Sequence, residues 1–151
     1  MSEKFFRQFP AELSMLVEIR RYVEDIAAGF GADDSALLDV VQAVDESAAN
    51  IIMHGYRGGP GTIDIEIRRE DDSLTVCLRD QAPLFDPTRV PAPDLTLPLD
   101  ERPLGGMGVY LTRKLMDEVA YRVTSEGGNE LTLRKRVNKD TRNPSVRGTQ
   151  K

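Results

Sequence analysis

The sequence predicts an α+β fold, a two-layer sandwich of helices on a mixed, mostly antiparallel sheet. Three observations carry that expectation. Apolar residues recur at three- and four-residue steps through the first 55 positions, four runs of alternating polarity fall into two pairs joined by tight turns, and a proline-dense loop with one further helical stretch separates the pairs. Helices, hairpin, loop, helix, hairpin is the order expected when a layer of helices covers one sheet.

Taken in order, KFFRQFP reads as a short strand or arm, and Pro10 opens a helical pattern of Leu13, Leu16, Val17, Ile19, Tyr22, Val23 and Ile26. GFGADD interrupts it. Asp33, Asp34 or Ser35 is placed to cap a second helix, whose apolar face uses Leu37, Leu38, Val41, Val44, Ala48, Ile51 and Ile52 and which ends near His54 and Gly55. RGGPG is turn chemistry, and TIDIEIRRE and SLTVCLRD form a hairpin across EDDS. Between Ala82 and Gly106 lie Pro83, Pro87, Pro91, Pro93, Pro98 and Pro103, a density that excludes both a continuous helix and a central strand. A loop of that length is often functional. A helix over about 108–117 follows, and then VAYRVTS and NELTLRKRV, joined by EGG. Residues 1–137 are expected to form a single domain, and the polar stretch 138–151 a flexible tail.

Composition narrows the function. The chain has 151 residues, 40% of them hydrophobic, the size of one domain with a real core. A net charge of -5 argues against direct nucleic-acid binding, which needs clustered Lys and Arg. No apolar run approaches the roughly 20 residues needed to cross a bilayer, so no membrane partner is expected. MSEKFFRQFP lacks a hydrophobic signal core, and the expected location is cytoplasmic. With a single cysteine (Cys77) and a single histidine (His54), the chain assembles neither a disulfide framework nor a Cys/His zinc site by itself. Any metal is then held by oxygen.

The second helix carries Glu46 and Asn50 four residues apart, on one stripe. Glu46 follows Val44 by about 200° of helical rotation, so the pair points away from the Val41, Val44 and Ala48 ridge. Two readings stand: a solvated polar face, or an amide oxygen for a hard cation such as Mg2+ beside a carboxylate that orients an attacking hydroxyl. Asp80, where the second strand gives way to the loop, is either a turn-starting residue or a buried acceptor for an exocyclic amine such as that of adenine. Gly105, Gly106 and Gly108 open the third helix; they make either a hinge or a place where main-chain N–H groups at the positive end of a helix dipole meet an anion. The stretch is no Walker A loop, since no G-K-[ST] follows, and no dinucleotide fingerprint, since a loop rather than a strand precedes it. The lysine and H-R-D motifs of ordinary protein kinases are also missing. Cys77 reads as a small core or half-buried residue, and His54 as helix-end packing.

These signals come in a telling order: E-x-x-x-N on a helix, Asp after a hairpin strand, G-x-G opening a helix after a lid-length loop. The layout resembles the GHKL, or Bergerat-fold, ATP-binding domain of histidine kinases, gyrase-type topoisomerases and related ATPases, over about residues 5–137. More narrowly, EIRRYVEDIAAGFG, AVDESAANIIMHGY, RDQAPLFDP and GGMGVYLTRKLMDEVAY are similar to the small stand-alone anti-sigma factor serine/threonine kinases of the SpoIIAB and RsbW type. A length of 151 residues is expected to leave no room for the phosphoacceptor helices or transducer domains of the larger relatives. The resemblance implies ATP and Mg2+ as cofactors, Glu46 as catalytic base, Asn50 as Mg2+ ligand, and Asp80 on the adenine amine. It implies nucleotide contacts from Ala82, Gly105, Gly106, Met107, Gly108 and Val109, with 83–104 as the ATP lid. As partners it implies a STAS-type anti-sigma antagonist that is phosphorylated, a sigma factor that is sequestered, and a second copy of the chain in a homodimer.

Two positions depart from the family pattern. Ala82 stands where a D-x-G turn has glycine, so that turn must avoid positive φ or tolerate a methyl group near the base. Leu104 stands where some of these kinases carry Arg, leaving Arg102 as the nearest cation for the γ-phosphate. Besides the kinase, two other classes are considered: a nucleotide-gated binding module without phosphoryl transfer, and an interaction domain that takes no nucleotide.

Overall fold

The structure, a computed structural model, describes residues 3–91, 94–98, 100 and 106–137. Its elements are β1 (Lys4–Pro10), α1 (Leu16–Gly29), α2 (Asp34–Asn50), β2 (Thr62–Glu70), β3 (Ser73–Asp80), α3 (Gly106–Leu115), β4 (Glu118–Val123) and β5 (Asn129–Arg136). The five strands run in the order β1-β2-β3-β5-β4. Every neighbouring pair is antiparallel, so no parallel pairing of a mixed sheet occurs among the described residues.

Alternation along the strands decides which face the helices cover. Ile63, Ile65 and Ile67 of β2 stand opposite Asp80, Leu78 and Val76 of β3, and Leu78 and Val76 stand opposite Leu131 and Leu133 of β5. Those apolar side chains meet Ile19, Val23 and Ala27 of α1 and Val40, Ala43, Val44 and Ala48 of α2 in one buried cluster. Burying each larger aliphatic side chain contributes roughly 1.5–3 kcal/mol. The opposite face is polar and paired across strands. Arg79 bonds Glu130 at 2.6 Å and Glu66 at 3.2 Å, Arg68 reaches Glu66 at 2.9 Å, and Arg122 also binds Glu130. Cys77 is buried in this lattice beside Arg68 and Thr132, a packed thiol on the outer face rather than in the apolar core.

Two helices differ from the sequence expectation. Pro10 ends β1, paired with Thr62, and does not open a helix. On an edge strand its missing N–H breaks no ladder bond, and Ala11 prolongs the pairing by donating to Gly61 O at 2.8 Å. The helix begins only after a 3-10 turn at Leu13–Met15. On α2 the buried face is made of smaller residues than expected, Ala36, Val40, Ala43, Val44, Ser47 and Ala48, while Leu38 is exposed. Asp33 supplies the cap, its side chain accepting from Ala36 N at 2.8 Å.

Helix α3 is held against α2 from its far end. Lys135, buried on the helix-covered face of β5, donates to Leu115 O at 2.6 Å and pairs with Asp39 of α2 at 2.8 Å. A cation at that carbonyl terminus also opposes the negative end of the α3 dipole.

Candidate functional site

Asn50 is the last residue of α2, and the chain runs on from it into a single π turn, Ile51–Gly55, in which Tyr56 N donates to Ile51 O at 2.8 Å. Such wide turns often mark functional positions. Glu46 and Asn50 are half-buried, facing the start of α3. A Cβ placed on Gly108 would lie 2.9 Å from Glu46 Oε2 and 3.5 Å from Asn50 Nδ2. The glycine is there for close approach, since its φ is not positive. The pair is therefore covered by a third helix rather than forming a freely solvated stripe.

Asp80 is buried at the end of β3, 6% exposed. Its Oδ1 accepts from Ala82 N at 2.9 Å and from Asn129 Nδ2 at 2.8 Å, and among the described residues no hydrogen bond reaches Oδ2. Burial pushes the Asp80 carboxyl above its ordinary range, while the Asn129 amide and the Ala82 N–H pull it back toward the charged form. Ala82 is not among the residues with positive φ, and its methyl group lies 3.1 Å from where a Cβ on Gly55 would be. Glycine across the gap thus accommodates the methyl that stands where a D-x-G turn has hydrogen. Tyr56 fastens the π turn to the same region: its hydroxyl accepts from Gln81 N and donates to Thr62 O, both at 2.8 Å.

One cavity of about 710 Å3 joins these parts, with Asn50, Asp80, Ala82 and Val109 in its wall. Glu46 lies beside this wall, reached through Asn50 and Gly108. Pro83, Leu84, Phe85, Pro87, Val90 and Pro91 of the long loop also line it. That loop is fastened to α3 by Arg113, whose Nη1 donates to Val90 O at 2.7 Å. His54 is exposed at the edge of the cavity and is not packed at a helix end. Gly106 and Met107 lie in the first turn of α3, whereas Gly105, Leu104 and Arg102 fall outside the described residues, as does 138–151.

The donor set can be tested against Mg2+. Among the described residues no group of three or more His, Cys, Asp or Glu side chains converges. A dedicated protein cage is therefore not what these residues build. The Asn50 carboxamide on the cavity wall does suit an ion that takes one protein oxygen and fills its remaining positions with phosphate and water oxygens.

Sequence reasoning missed Asn129. Its Nδ2 also approaches Ala82 O at 3.2 Å and Pro83 O at 3.4 Å, and its Oδ1 accepts from Phe85 N at 3.1 Å and from the Tyr121 hydroxyl. The register Asp80↔Asn129 puts the two side chains together. Nothing local signals this, because it depends on β3 pairing with β5 rather than with its sequence neighbour beyond the loop.

Comparison with known proteins gives a consistent picture. The histidine kinase-like ATPase domain family matches residues 9–135. Serine-protein kinase RsbW of Bacillus cereus strain AH187 is 30% identical over 123 residues, covering 78% of this chain and 76% of the relative. RsbW of Bacillus mycoides strain KBAB4 is 29% identical over the same length. Among solved structures, the RsbU and RsbW domains of Rv1364c from Mycobacterium tuberculosis superpose with a TM-score of 0.63 at 19% identity, covering 89% of this chain and 32% of that one. This chain thus spans about a third of the length of that two-domain chain. A chain of the SiaB-SiaC complex from Pseudomonas aeruginosa gives a TM-score of 0.56 at 16% identity, covering 87% and 88% of the two chains. Both structures share the fold. No helix among the described residues is long and apolar enough to cross a membrane.

Proposed function

The chain belongs to the histidine kinase-like ATPase family, and from that premise we propose that it is an anti-sigma factor serine/threonine kinase that uses Mg-ATP. Its substrate is a serine or threonine of a STAS-type anti-sigma antagonist, and its second partner is a sigma factor held inactive. The working unit in this reading is a cytoplasmic homodimer, each copy a domain of residues 1–137 with a lid at 83–104.

One observation supports the reading above all: Gly108 lies against both Glu46 and Asn50, while Asn50 shares a cavity with Asp80. Three stretches far apart in sequence thus meet around one space. Asp80 accepts a hydrogen bond from the exocyclic amine of adenine, with Ala82 flanking the base. Main-chain N–H groups of Gly105, Gly106, Met107 and Gly108 hold phosphate oxygens at the start of α3, and Val109 packs behind them. Asn50 would hold Mg2+ through its Oδ1; when bound, the ion offsets negative charge on the phosphates. Glu46 orients the incoming hydroxyl and takes its proton. The Oγ–P bond forms as the bond from the γ-phosphorus to the bridging oxygen of ADP breaks, and the phosphorylated side chain and ADP leave.

Leu104, where some of these kinases carry Arg, favours a second reading: a nucleotide-gated module that binds its partner without transfer. Incubation with γ-labelled ATP and STAS proteins of the same genome separates the two. Label on a partner serine or threonine supports the kinase. ATP binding without label supports the module, and failure to bind ATP overturns both.

A further inference from the structure

We propose that Asn129, locked in orientation by Tyr121 and the Phe85 main chain, is the specificity-determining residue of the base pocket, committing Asp80 to accept from a 6-amino purine and reject a 6-oxo purine. The inference rests on the nucleotide reading above and names the residue that sets its base preference.

The carboxamide of Asn129 is buried, 7% exposed, and both of its ends are committed. Phe85 N can only donate, so the atom it meets at 3.1 Å is the amide oxygen, and the Tyr121 hydroxyl donates to that same oxygen. On the other side Nδ2 faces three groups that accept: Asp80 Oδ1 at 2.8 Å, Ala82 O at 3.2 Å and Pro83 O at 3.4 Å. A flipped amide would set its oxygen against a carboxylate and two carbonyls, and its NH2 against an N–H. The orientation is thereby fixed by its neighbours.

The consequence falls on Asp80. Two donors occupy Oδ1, one from Asn129 and one from Ala82 N at 2.9 Å, and both favour the ionised carboxyl despite its burial. With two donors already on Oδ1, the carboxyl is set up as an acceptor on the cavity wall, and a carboxylate oxygen there can accept and cannot donate. A purine amine at position 6 satisfies it, whereas a carbonyl there sets oxygen against oxygen. A buried charged acceptor left without its donor discriminates by about 100-fold or more.

The test compares ATP with inosine triphosphate, which carries the same triphosphate and differs only at the purine 6-position and N1. Affinities are measured by calorimetry with the full chain, and inorganic tripolyphosphate serves as a control that cannot report the base. Wild type is expected to favour ATP by about 100-fold. In Asn129→Asp two carboxyl groups face each other across Oδ1 and hold one proton between them, so Oδ2 still accepts but carries less charge, and the preference is expected to shrink at least about 10-fold. Tyr121→Phe keeps the amide but loosens its hold, and the preference is expected to shrink roughly 3- to 10-fold with tripolyphosphate binding unchanged. Folded variants that both keep the wild-type ratio overturn the role of Asn129; should Asn129→Asp not fold, Tyr121→Phe decides alone. A wild type that binds ATP and inosine triphosphate equally also overturns it while leaving the nucleotide reading intact, and a wild type that binds neither overturns that reading itself.

Discussion

Gly108→Ala separates folding from chemistry at this site. A methyl group there would stand 2.9 Å from Glu46 Oε2, whereas carbon and oxygen settle at roughly 3.3–3.6 Å, so the carboxylate must retreat by about half an ångström. Asn50 Nδ2, at 3.5 Å, is already in contact and closes one way out. The backbone has no objection: Gly108 lies within α3 with no positive φ, and alanine in a helix is worth about 0.5–1 kcal/mol over glycine. Because the far end of Glu46 yields cheaply, the thermal midpoint is expected to stay level or rise by a few degrees. Catalytic groups tolerate only about 0.5 Å of displacement, and a shift toward 1 Å costs about 100-fold, so transfer to the partner protein is expected to fall roughly 10- to 100-fold. Circular dichroism melting and single-turnover transfer from labelled ATP read the two effects separately. Undiminished transfer in a folded Gly108→Ala protein would falsify the placement of Glu46 at the reacting end.

Other substitutions probe the remaining links. Glu46→Gln keeps the shape of the side chain and removes its basicity; calorimetry should show Mg-ATP affinity within about 3-fold of wild type, while transfer drops by at least about 100-fold. Asp80→Asn can still accept from Asn129 and Ala82 N but turns an NH2 toward the cavity, so ATP affinity should fall by about 100-fold. Because burial raises the Asp80 pKa, its charge works against the fold above the ordinary carboxylate range, and the ligand-free variant should melt no lower than wild type at pH 7. On the outer face, burial pushes Glu130 up, but the guanidinium groups of Arg79 and Arg122 outweigh it and hold the carboxyl below its ordinary range. Its contribution is then present above the unfolded value of about 4.3 and lost as pH falls through the lower folded value. Glu130→Gln should cost about 1–2 kcal/mol at pH 7, less than a fully buried pair because both arginines are partly solvated, and the gap should close on acidification below about pH 4. A denaturation series that shows a gap independent of pH would contradict this.

Most of the architecture was legible because it is written in periodicity. TIDIEIRRE and SLTVCLRD become β2 and β3 at the expected positions, since their alternating Ile, Leu and Val have only one face on which to be buried. Pro10 misled because a proline at a helix start and a proline at the end of an edge strand look alike locally, and only pairing with Thr62 distinguishes them. Leu38 misled because α2 is covered on one side by α1 and on another by α3, which shifts its buried stripe toward alanines and Ser47. The spacing of Glu46 and Asn50 gave their common face but not what covers it. What could not be read was the pairing across the sheet: Asn129 beside Asp80, and Lys135 beneath the end of α3, each join residues whose meeting depends on β5 lying next to β3.

The most direct measurement is a crystal structure of the full chain grown with Mg2+ and a non-hydrolysable ATP analogue. The purine amine is expected on Asp80 Oδ2, the phosphates at the first turn of α3, and the cation on Asn50 Oδ1, with Glu46 facing the terminal phosphate. Nucleotide bound elsewhere on the molecule, or a cavity left empty at saturating analogue, would contradict that placement.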